Sequence, residues 1–234
     1  MYKKYEEIVD AKLISYSQPS IYMNHLKGSR CDDDSLTNLI SYCARVSNPK
    51  NQDNLETTNK LVQYLINHKH WSPFEMVNVC LEIVTTRDIA RQILRHRSFS
   101  FQEYSQRYAD PTKDLEFCLR ECRLQDNKNR QNSIEFYDEE VINSWNDIQT
   151  ELINISKSSY EHAISKGIAK EVARSILPEG LTMSTMYMKG SLRSWIHYCD
   201  LRMGNGTQKE HRLIAESCWQ LLSEKFPTVF LEGN

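Results

Sequence analysis

The sequence lacks the motifs and segments that define several large protein classes. It contains no Gly-x-Gly-x-x-Gly, no glycine-rich loop ending in Gly-Lys-Ser or Gly-Lys-Thr, and no Gly-x-Ser-x-Gly. A Rossmann dinucleotide site, a P-loop and the nucleophile elbow of α/β-hydrolases are therefore excluded. No apolar run approaches the length of a membrane span, and the N-terminal residues hold no signal-like apolar segment. The net charge of −2 would not attract nucleic acid or an anionic membrane, so neither is expected as a partner.

The spacing of cysteine and histidine residues gives little support for a metal site or for disulfide bonds. The seven cysteines form no Cys-x-x-Cys pair, and the closest spacing, between Cys118 and Cys122, has no matching ligand pair at a zinc-like distance. His68 and His70 lie two residues apart with Glu75 nearby, but no further ligands accompany them, so no metal site is predicted. Reduced thiols and the missing signal segment predict a cytoplasmic protein, or one of the host cytoplasm if the source is viral.

The residues that are present predict one compact unit with its own core. Hydrophobic residues make up 40% of the chain and charged residues 26%, and no repeat, linker or low-complexity segment interrupts it. We predict a single α+β domain over residues 1–234, with a central, mainly antiparallel sheet flanked by helices. The predicted strands are 11–16, 77–86, 115–124 and 181–188. The predicted helices are 34–47, 55–68, one that starts at Asp88, 139–166, 169–177, 191–203, and a last one with Thr207 and Glu210 as a capping box. Residues 125–135 are predicted to be an exposed loop.

The helix that starts at Asp88 is expected to have two unlike faces. At about 100° per residue, Ile89, Ala90, Ile93 and Leu94 fill one arc, and Arg91, Gln92, Arg95 and His96 fill the opposite one. A solvated polar face is the simplest interpretation of this helix taken alone.

The segment 95–108, called the arginine segment below, follows that helix and looks too polar to belong to the core. It contains Arg95, Arg97 and Arg107. Arginines held close together repel one another unless an anion joins them, and their planar forks suit phosphate. Ser105 and Gln106 add neutral donors beside Arg107. Spacing alone therefore predicts a nucleotide-sized anion pocket. The alternative, an exposed basic loop for RNA, is disfavoured by the near-neutral charge of the chain.

The arginine segment closely resembles a family signature. Arg-His-Arg-x-x-Ser-x-Gln-Glu-x-Ser-x-Arg over 95–107 is similar to Arg-His-Arg-x-x-Ser-x-Asn-Glu-x-Ser-x-Arg of the flavin-dependent thymidylate synthases, and it departs only at Gln102. The resemblance extends to residues 70–75, to Gln92, to 171–178 and to 194–202, and it covers roughly 35–225.

The resemblance implies a reductive methylation. Members of that family convert dUMP to dTMP with a carbon from methylenetetrahydrofolate and a hydride from FAD that NADPH has reduced. By position, the expected FAD contacts are Ser72, Arg95, His96, Arg97, Glu103, Ser191, Arg193 and His197. The expected dUMP contacts are Gln92, Arg95, Glu103, Tyr104, Ser105, Gln106, Arg107, Arg174 and Arg202.

The resemblance also implies roles for particular side chains. Arg202 is the expected catalytic residue, because a permanent cation can stabilise negative charge that develops on the uracil ring. Ser105 is assigned to binding, since no general base accompanies it in the motif. Met76 stands where the family often has His, and Ser191 and His197 stand where Asn is commoner. The family also implies a homotetramer with active sites shared between subunits. A nucleotide- or RNA-binding protein without flavin chemistry is the alternative function.

Overall fold

The computed structural model describes residues 2–27 and 32–230, and Cys31 lies outside these ranges. Its strands are β1 Lys3–Lys4, β2 Asp10–Tyr16, β3 Asn78–Thr86, β4 Phe99–Glu103, β5 Cys118–Leu119, β6 Arg123–Gln125, β7 Ser133–Glu135 and β8 Met183–Ser191. Its α-helices are α1 Asp32–Ala44, α2 Thr58–Asn67, α3 Arg87–Ile93, α4 Pro111–Asp114, α5 Glu139–Ser165, α6 Lys170–Ala173, α7 Leu192–Arg202 and α8 Lys209–Lys225. Short 3₁₀ helices include Ser72–Met76 and Arg174–Ile176.

Four strands form the central sheet, in the order β2-β3-β8-β4, and every neighbouring pair is antiparallel. In β3, Val79, Leu81 and Ile83 are buried and alternate with partly exposed residues. One face of the sheet therefore packs on the core, as the alternation in the sequence predicts. The predicted α+β fold with an antiparallel sheet flanked by helices is confirmed. No helix among the described residues has the length and apolarity needed to cross a membrane.

The main core lies between this sheet and helices α1, α2, α3, α7 and α8. Trp195 of α7 is fully buried at its centre and donates its indole N–H to the Val79 carbonyl at 3.1 Å. The ring of Phe99 packs edge-on against Trp195 at 4.9 Å. This contact fixes the first residue of β4 to the core and so positions the arginine segment.

The arginine segment corrects part of the sequence prediction, because it contains a strand. Residues Phe99 to Glu103 form β4 and pair with β8, from Phe99 opposite Gly190 to Glu103 opposite Met186. Phe99 is only 8% exposed and Gln106 only 3%. The charges on either side made this strand hard to recognise, since β4 is an edge strand from which only Phe99 and Phe101 pack against the main core.

Three further predictions about elements were wrong in detail. The strand predicted over 115–124 is two short strands, β5 and β6, and β7 forms part of the predicted loop. The N-cap residue of α3 is Thr86, two residues before the predicted cap Asp88, whose carboxylate instead accepts hydrogen bonds from Thr86 and Arg120. The capping box does not form: α8 follows Gln208, and Glu210 is buried against Arg120 and Arg123.

Candidate active site

Glu103, at the end of β4, is held in a largely buried polar cluster. Its Oε1 accepts hydrogen bonds from Arg87 at 3.3 Å and from the Ser184 hydroxyl at 2.9 Å. The side chain of Arg87 is only 7% exposed and lies 3.9 Å from Glu179 as well. Burial is the main cause that lowers the pKa of Arg87, and the charge of Glu103 opposes that shift. These contacts hold the Glu103 carboxylate in one orientation, with Oε2 left for a ligand hydroxyl.

The turn after β4 contains donors that suit an anion or a nucleotide. Tyr104 donates its hydroxyl to Asp114 at 2.9 Å, and the Ser105 hydroxyl accepts from the Arg107 backbone N–H at 3.3 Å. The Ser105 hydroxyl proton is then available to a ligand. Gln106 is 3% exposed, and its Nε2 has no hydrogen-bond partner among the described residues. An unpaired buried donor is unfavourable by about 1–3 kcal/mol, so a bound acceptor would stabilise this position.

Arg107 and Arg174 come together at the same residue, although 67 positions separate them in the sequence. An Nη of Arg107 lies 3.2 Å from the Glu171 carboxylate, and the Arg174 Nε donates to the Glu171 carbonyl at 3.3 Å. Both partners of the ion pair are more than half exposed, so it contributes at most about 1 kcal/mol. A phosphate could therefore take the place of Glu171 at little cost in stability.

Arg202, at the end of α7, reaches the start of the arginine segment. Its Nε donates to Nε2 of His96 at 2.9 Å, across 106 positions of the sequence. The imidazole must be neutral to accept this bond, and it also packs edge-on against Tyr198 at 4.9 Å. Burial, together with the charges of Arg202 and Arg95, lowers the pKa of His96 to about 4. The bond to His96 leaves both terminal nitrogens of Arg202 for a ligand.

A second basic cluster surrounds Glu75 at the opposite end of β4 from Glu103. Glu75 accepts from the Ser191 hydroxyl at 2.6 Å and from Arg193 at 2.7 Å. Its pKa is lowered, chiefly by the Ser191 hydrogen bond and further by Arg193, against the opposing effect of burial. Ser194 donates to the Ser98 carbonyl at 3.3 Å and so joins the start of α7 to the arginine segment.

Ser72 and His197, which are also predicted to contact FAD, lie beside this cluster, whereas Glu103 lies at the opposite end of β4 and His96 contacts Arg202. Ser72 opens the 3₁₀ helix that contains Glu75, and His197 packs edge-on against Trp71 at 5.0 Å. Arg95 and Arg97 are exposed. Met76, which stands where the family often has His, is 56% exposed. Exposed guanidinium groups and hydroxyls at one end of β4 are a donor set that fits a diphosphate-containing cofactor such as FAD.

The predicted residues therefore form two groups at the ends of β4 and a third beside them. Phe99 and Glu103 are four residues apart on this strand, which corresponds to about 14 Å at 3.4 Å per residue. Gln92, His96 and Arg202 form the third group, around the C-terminal end of α3. Within one protomer the predicted dUMP residues are divided between the Glu103 end and the Arg202 group.

Sequence reasoning missed several residues that position these groups. The sequence predicts no role in the site for Glu75 or for Arg87, although Glu75 orients Ser191 and Arg193 and Arg87 orients Glu103. Gln208 and His211 hydrogen-bond to Gln92 from α8 and its start. No sequence spacing links these two residues to Gln92, since 116 and 119 positions intervene. The two neighbouring histidines and Glu75 have separate contacts: His68 stacks on Tyr64 at 4.0 Å, and Glu75 accepts from Ser191 and Arg193.

Comparison with solved structures supports the fold. The crystal structure of a UMP/dUMP methylase, PolB, from Streptomyces cacaoi bound with 5-Br dUMP superposes with a TM-score of 0.78. The match covers 98% of this chain and 95% of that chain at 20% sequence identity. At that identity, the similarity shows a shared fold.

Comparison with curated sequences shows the family. A flavin-dependent thymidylate synthase from Synechocystis sp. is 50% identical over 223 residues, which are 94% of this chain and 97% of the relative. A probable flavin-dependent thymidylate synthase from Paramecium bursaria Chlorella virus 1 is 45% identical over 221 residues, again 94% of this chain and 97% of the relative. Residues 32–228 match the family described as "Thymidylate synthase complementing protein". The chain is therefore an enzyme that belongs to the thymidylate synthase complementing protein family, the family to which the resemblance of its arginine segment pointed.

Proposed function

We propose that this enzyme is a flavin-dependent thymidylate synthase that methylates dUMP to dTMP. In this proposal, methylenetetrahydrofolate supplies the carbon, and FAD that NADPH has reduced supplies the hydride. The observation that carries the proposal is the contact between Arg202 and His96, because the fold delivers the expected catalytic arginine to the arginine segment from 106 positions away. The high identity to flavin-dependent thymidylate synthases over nearly the whole chain supports the same conclusion.

Two arginines and their neighbours are proposed to hold the dUMP phosphate. Arg107 and Arg174 lie at the common partner Glu171, and a phosphate would replace one weak, exposed ion pair with two charge-assisted contacts. The Ser105 hydroxyl and the unpaired Nε2 of Gln106 supply neutral donors beside them. Glu103, with one oxygen held by Arg87 and Ser184, offers its other oxygen to a ribose hydroxyl.

Arg202 is proposed to act on the uracil ring. A guanidinium remains charged at every physiological pH, and its bond to neutral His96 fixes its direction. It can therefore stabilise the negative charge that develops on the ring oxygen and nitrogen when C5 becomes nucleophilic. Gln92, Arg95 and Tyr104 complete the proposed dUMP contacts. Ser105 remains a binding residue, since its hydroxyl contacts the Arg107 backbone and no general base is hydrogen-bonded to it among the described residues.

FAD is proposed to bind at the Glu75 end of β4 and to extend toward the uracil. Its chemistry when bound is hydride transfer, which no amino-acid side chain can perform. The proposed contacts are Ser72, Arg95, His96, Arg97, Glu103, Ser191, Arg193 and His197. Arg95, Arg97 and Arg193 would neutralise the diphosphate, and Glu75 would keep Arg193 and Ser191 oriented toward it.

We further propose a homotetramer whose active sites are shared between subunits. In one protomer the residues proposed to bind dUMP are divided between the Glu103 group and the Arg202 group. This division is expected if a partner subunit supplies the rest of each dUMP site. Helix α5 also exposes Val141, Trp145, Ile148, Leu152 and Ile155 on one face, from 38% to 55% of each residue. Exposed apolar patches of this kind mark interaction surfaces.

The visible absorbance of the purified protein tests the flavin proposal. We expect a yellow protein, or a colourless one that takes up one FAD per chain. Arg97→Ala is expected to weaken FAD binding at least about tenfold through loss of a charge-assisted contact. Arg212→Ala, which removes an arginine paired with Glu216 on α8, serves as the control and should leave FAD binding unchanged. A protein that cannot be loaded with FAD, and binds RNA in a salt-dependent manner, would instead support the nucleotide- or RNA-binding alternative.

A further inference from the structure

A continuous chain of hydrogen bonds links the buried carboxylate of Glu210 to Gln92. Glu210 Oε2 accepts from Gln208 Nε2 at 2.9 Å, and Gln208 Oε1 accepts from Gln92 Nε2 at 2.8 Å. Gln92 Oε1 then meets Nδ1 of His211 at 3.2 Å, and His211 Nε2 meets the Tyr198 hydroxyl at 3.1 Å. His211 is 0% exposed and Tyr198 only 1%. Five side chains thus form one polar chain, called the Gln92 relay below.

The direction of every bond in the Gln92 relay follows from its first member. Glu210 is ionised: burial raises its pKa, but the ion pairs with Arg120 and Arg123 outweigh burial and lower it overall. A carboxylate can only accept hydrogen bonds, so it must meet the NH₂ group of Gln208 and not its oxygen. The oxygen of Gln208 then faces Gln92, and the same reasoning turns the NH₂ group of Gln92 toward Gln208.

The far end of the relay is fixed in the same way. Because Gln92 presents its oxygen to His211, Nδ1 of His211 must carry the proton. Nε2 is then an acceptor, and the Tyr198 hydroxyl donates to it. Desolvation favours this neutral imidazole, since His211 is fully buried and its two ring nitrogens meet Gln92 and Tyr198, with no carboxylate bonded to the ring among the described residues.

We propose that the Gln92 relay sets which group of the Gln92 amide faces the nucleotide, with His211 and Gln208 as positioning residues. This inference rests on the proposed function, because it takes Gln92 as a dUMP contact. With the relay in place, Gln92 keeps one N–H for an acceptor atom of the nucleotide, while its oxygen is held by His211. Without the relay, the amide could turn over and present its oxygen, which would lose that bond.

The relay also lies against the proposed catalytic arginine. Tyr198 packs on the His96 ring at 4.9 Å, and the His96 and His211 rings are 6.2 Å apart, edge to face. His96 in turn accepts from Arg202. His211 orients Gln92, and His96 orients Arg202. Because the rings around these two histidines are in contact, Gln92 and Arg202 lie close enough to present their side chains to the same ligand.

A reversal of the relay provides the sharpest test. Gln208 is exposed, so Gln208→Lys should fold normally, yet an ammonium can only donate. Lysine at this position forces Gln92 to present its oxygen to position 208 and its NH₂ group to His211, so that the proton of His211 moves to Nε2. Neutron diffraction from deuterated crystals should then show deuterium on Nδ1 of His211 in the parent protein and on Nε2 in the variant. Deuterium on Nε2 in the parent would overturn the proposal, and so would an unchanged Nδ1 position in the variant.

Binding of dUMP provides the second readout. We expect Gln208→Lys to raise the dissociation constant of dUMP about tenfold, equivalent to about 1.4 kcal/mol, with an unchanged melting temperature. Asn205→Lys, which adds the same charge to the same loop outside the relay, is the control and should bind dUMP normally. Equal affinity in both variants would overturn the positioning role. The neutron result does not require dUMP, so a parent protein with the expected proton on Nδ1 but no affinity for dUMP would refute the proposed function and leave the relay standing.

Discussion

At the residue scale, the site depends on two histidines that are neutral because of where they lie. His96 can accept from Arg202, and His211 from Tyr198, only with an unprotonated Nε2. Burial lowers the pKa of His96 to about 4 and that of His211 to about 3, and the charge of Arg202 adds to the shift in both. Protonation of either ring would break the hydrogen bond that orients the arginine or the glutamine.

These shifts predict how stability depends on pH. In the unfolded chain both imidazoles titrate near pH 6.5, so between about pH 6.5 and 4 the unfolded state binds more protons than the folded state. The free energy of unfolding must therefore fall as the pH decreases through that window. For fully buried His211 the loss between about pH 7.5 and pH 5 is about 2 kcal/mol.

Urea unfolding at the two pH values measures this loss. His211→Asn should lower stability at the higher pH but show a smaller further decrease on acidification. His162→Asn, which replaces an exposed imidazole of α5, should behave like the parent protein. If the parent and His211→Asn lose the same stability on acidification, the burial of a neutral His211 is not the cause.

At the scale of the element, β4 positions the site because its first residue is locked onto β8. Phe99 lies opposite Gly190, and its ring covers the glycine while it packs on Trp195 and Tyr198. A Cβ on Gly190 would come within 2.6 Å of Phe99 Cε1 and closer still to Cδ1. Glycine is required here by this close approach, since its backbone is not in the left-handed region.

Gly190→Ala is accordingly expected to destabilise the protein by about 1–3 kcal/mol, because the packed ring of Phe99 cannot move aside freely. Displacement of Phe99 would also shift Arg97 and so weaken the proposed binding of FAD. Thermal unfolding and flavin titration measure both effects. Gly206→Ala is the matched control, since an added Cβ there meets nothing within 4 Å, and it should change stability by less than about 0.5 kcal/mol.

The elements also show what a single sequence can and cannot reveal. The alternation in β3, the apolar spacing of α2 and α5 and the polar stripe of α7 predicted those elements to within a few residues, because these patterns are local. Strand β4 was not predicted because its polar composition does not favour a strand. It forms through pairing with β8, which lies nearly ninety positions away in the sequence. The Gln92 relay was not predicted for the same reason, since its contacts join residues far apart in the sequence. The spacing of Glu210 from Thr207 is typical of a capping box, but Glu210 is buried in ion pairs with Arg120 and Arg123.

At the scale of the whole molecule, α5 points to an assembly of several chains. Seven apolar residues at helical spacing would all be expected in a core, namely Val141, Trp145, Ile148, Leu152, Ile155, Tyr160 and Ala163. The first five are exposed instead, and of the seven only Tyr160 is fully buried. Trp145, Ile148 and Leu152 also line a cavity of about 410 Å³ with a charged floor that includes Arg120 and Glu210. A second copy of the chain over this face would explain why so many apolar residues lie outside the core of one protomer.

The corresponding prediction concerns oligomeric state. Ile148→Glu combined with Leu152→Glu should reduce the proposed tetramer to smaller species, because each carboxylate would have to be buried without a partner. Light scattering coupled to gel filtration gives the mass. Asn143→Glu, on the opposite, polar side of α5, should leave the tetramer intact. A double variant with the mass of the parent would show that α5 is not part of the interface.

The central claim is that Arg202, held by His96, activates the uracil ring of dUMP in a flavin-dependent methylation. Release of tritium from the C5 position of labelled dUMP, with FAD, NADPH and methylenetetrahydrofolate present, measures that step directly. We predict steady release by the parent protein and by Arg212→Ala, and a decrease of about 10²–10³-fold in Arg202→Ala with an unchanged melting temperature. Undiminished release by Arg202→Ala would contradict the assigned role of Arg202, and no release by the FAD-loaded parent would contradict the proposed function itself.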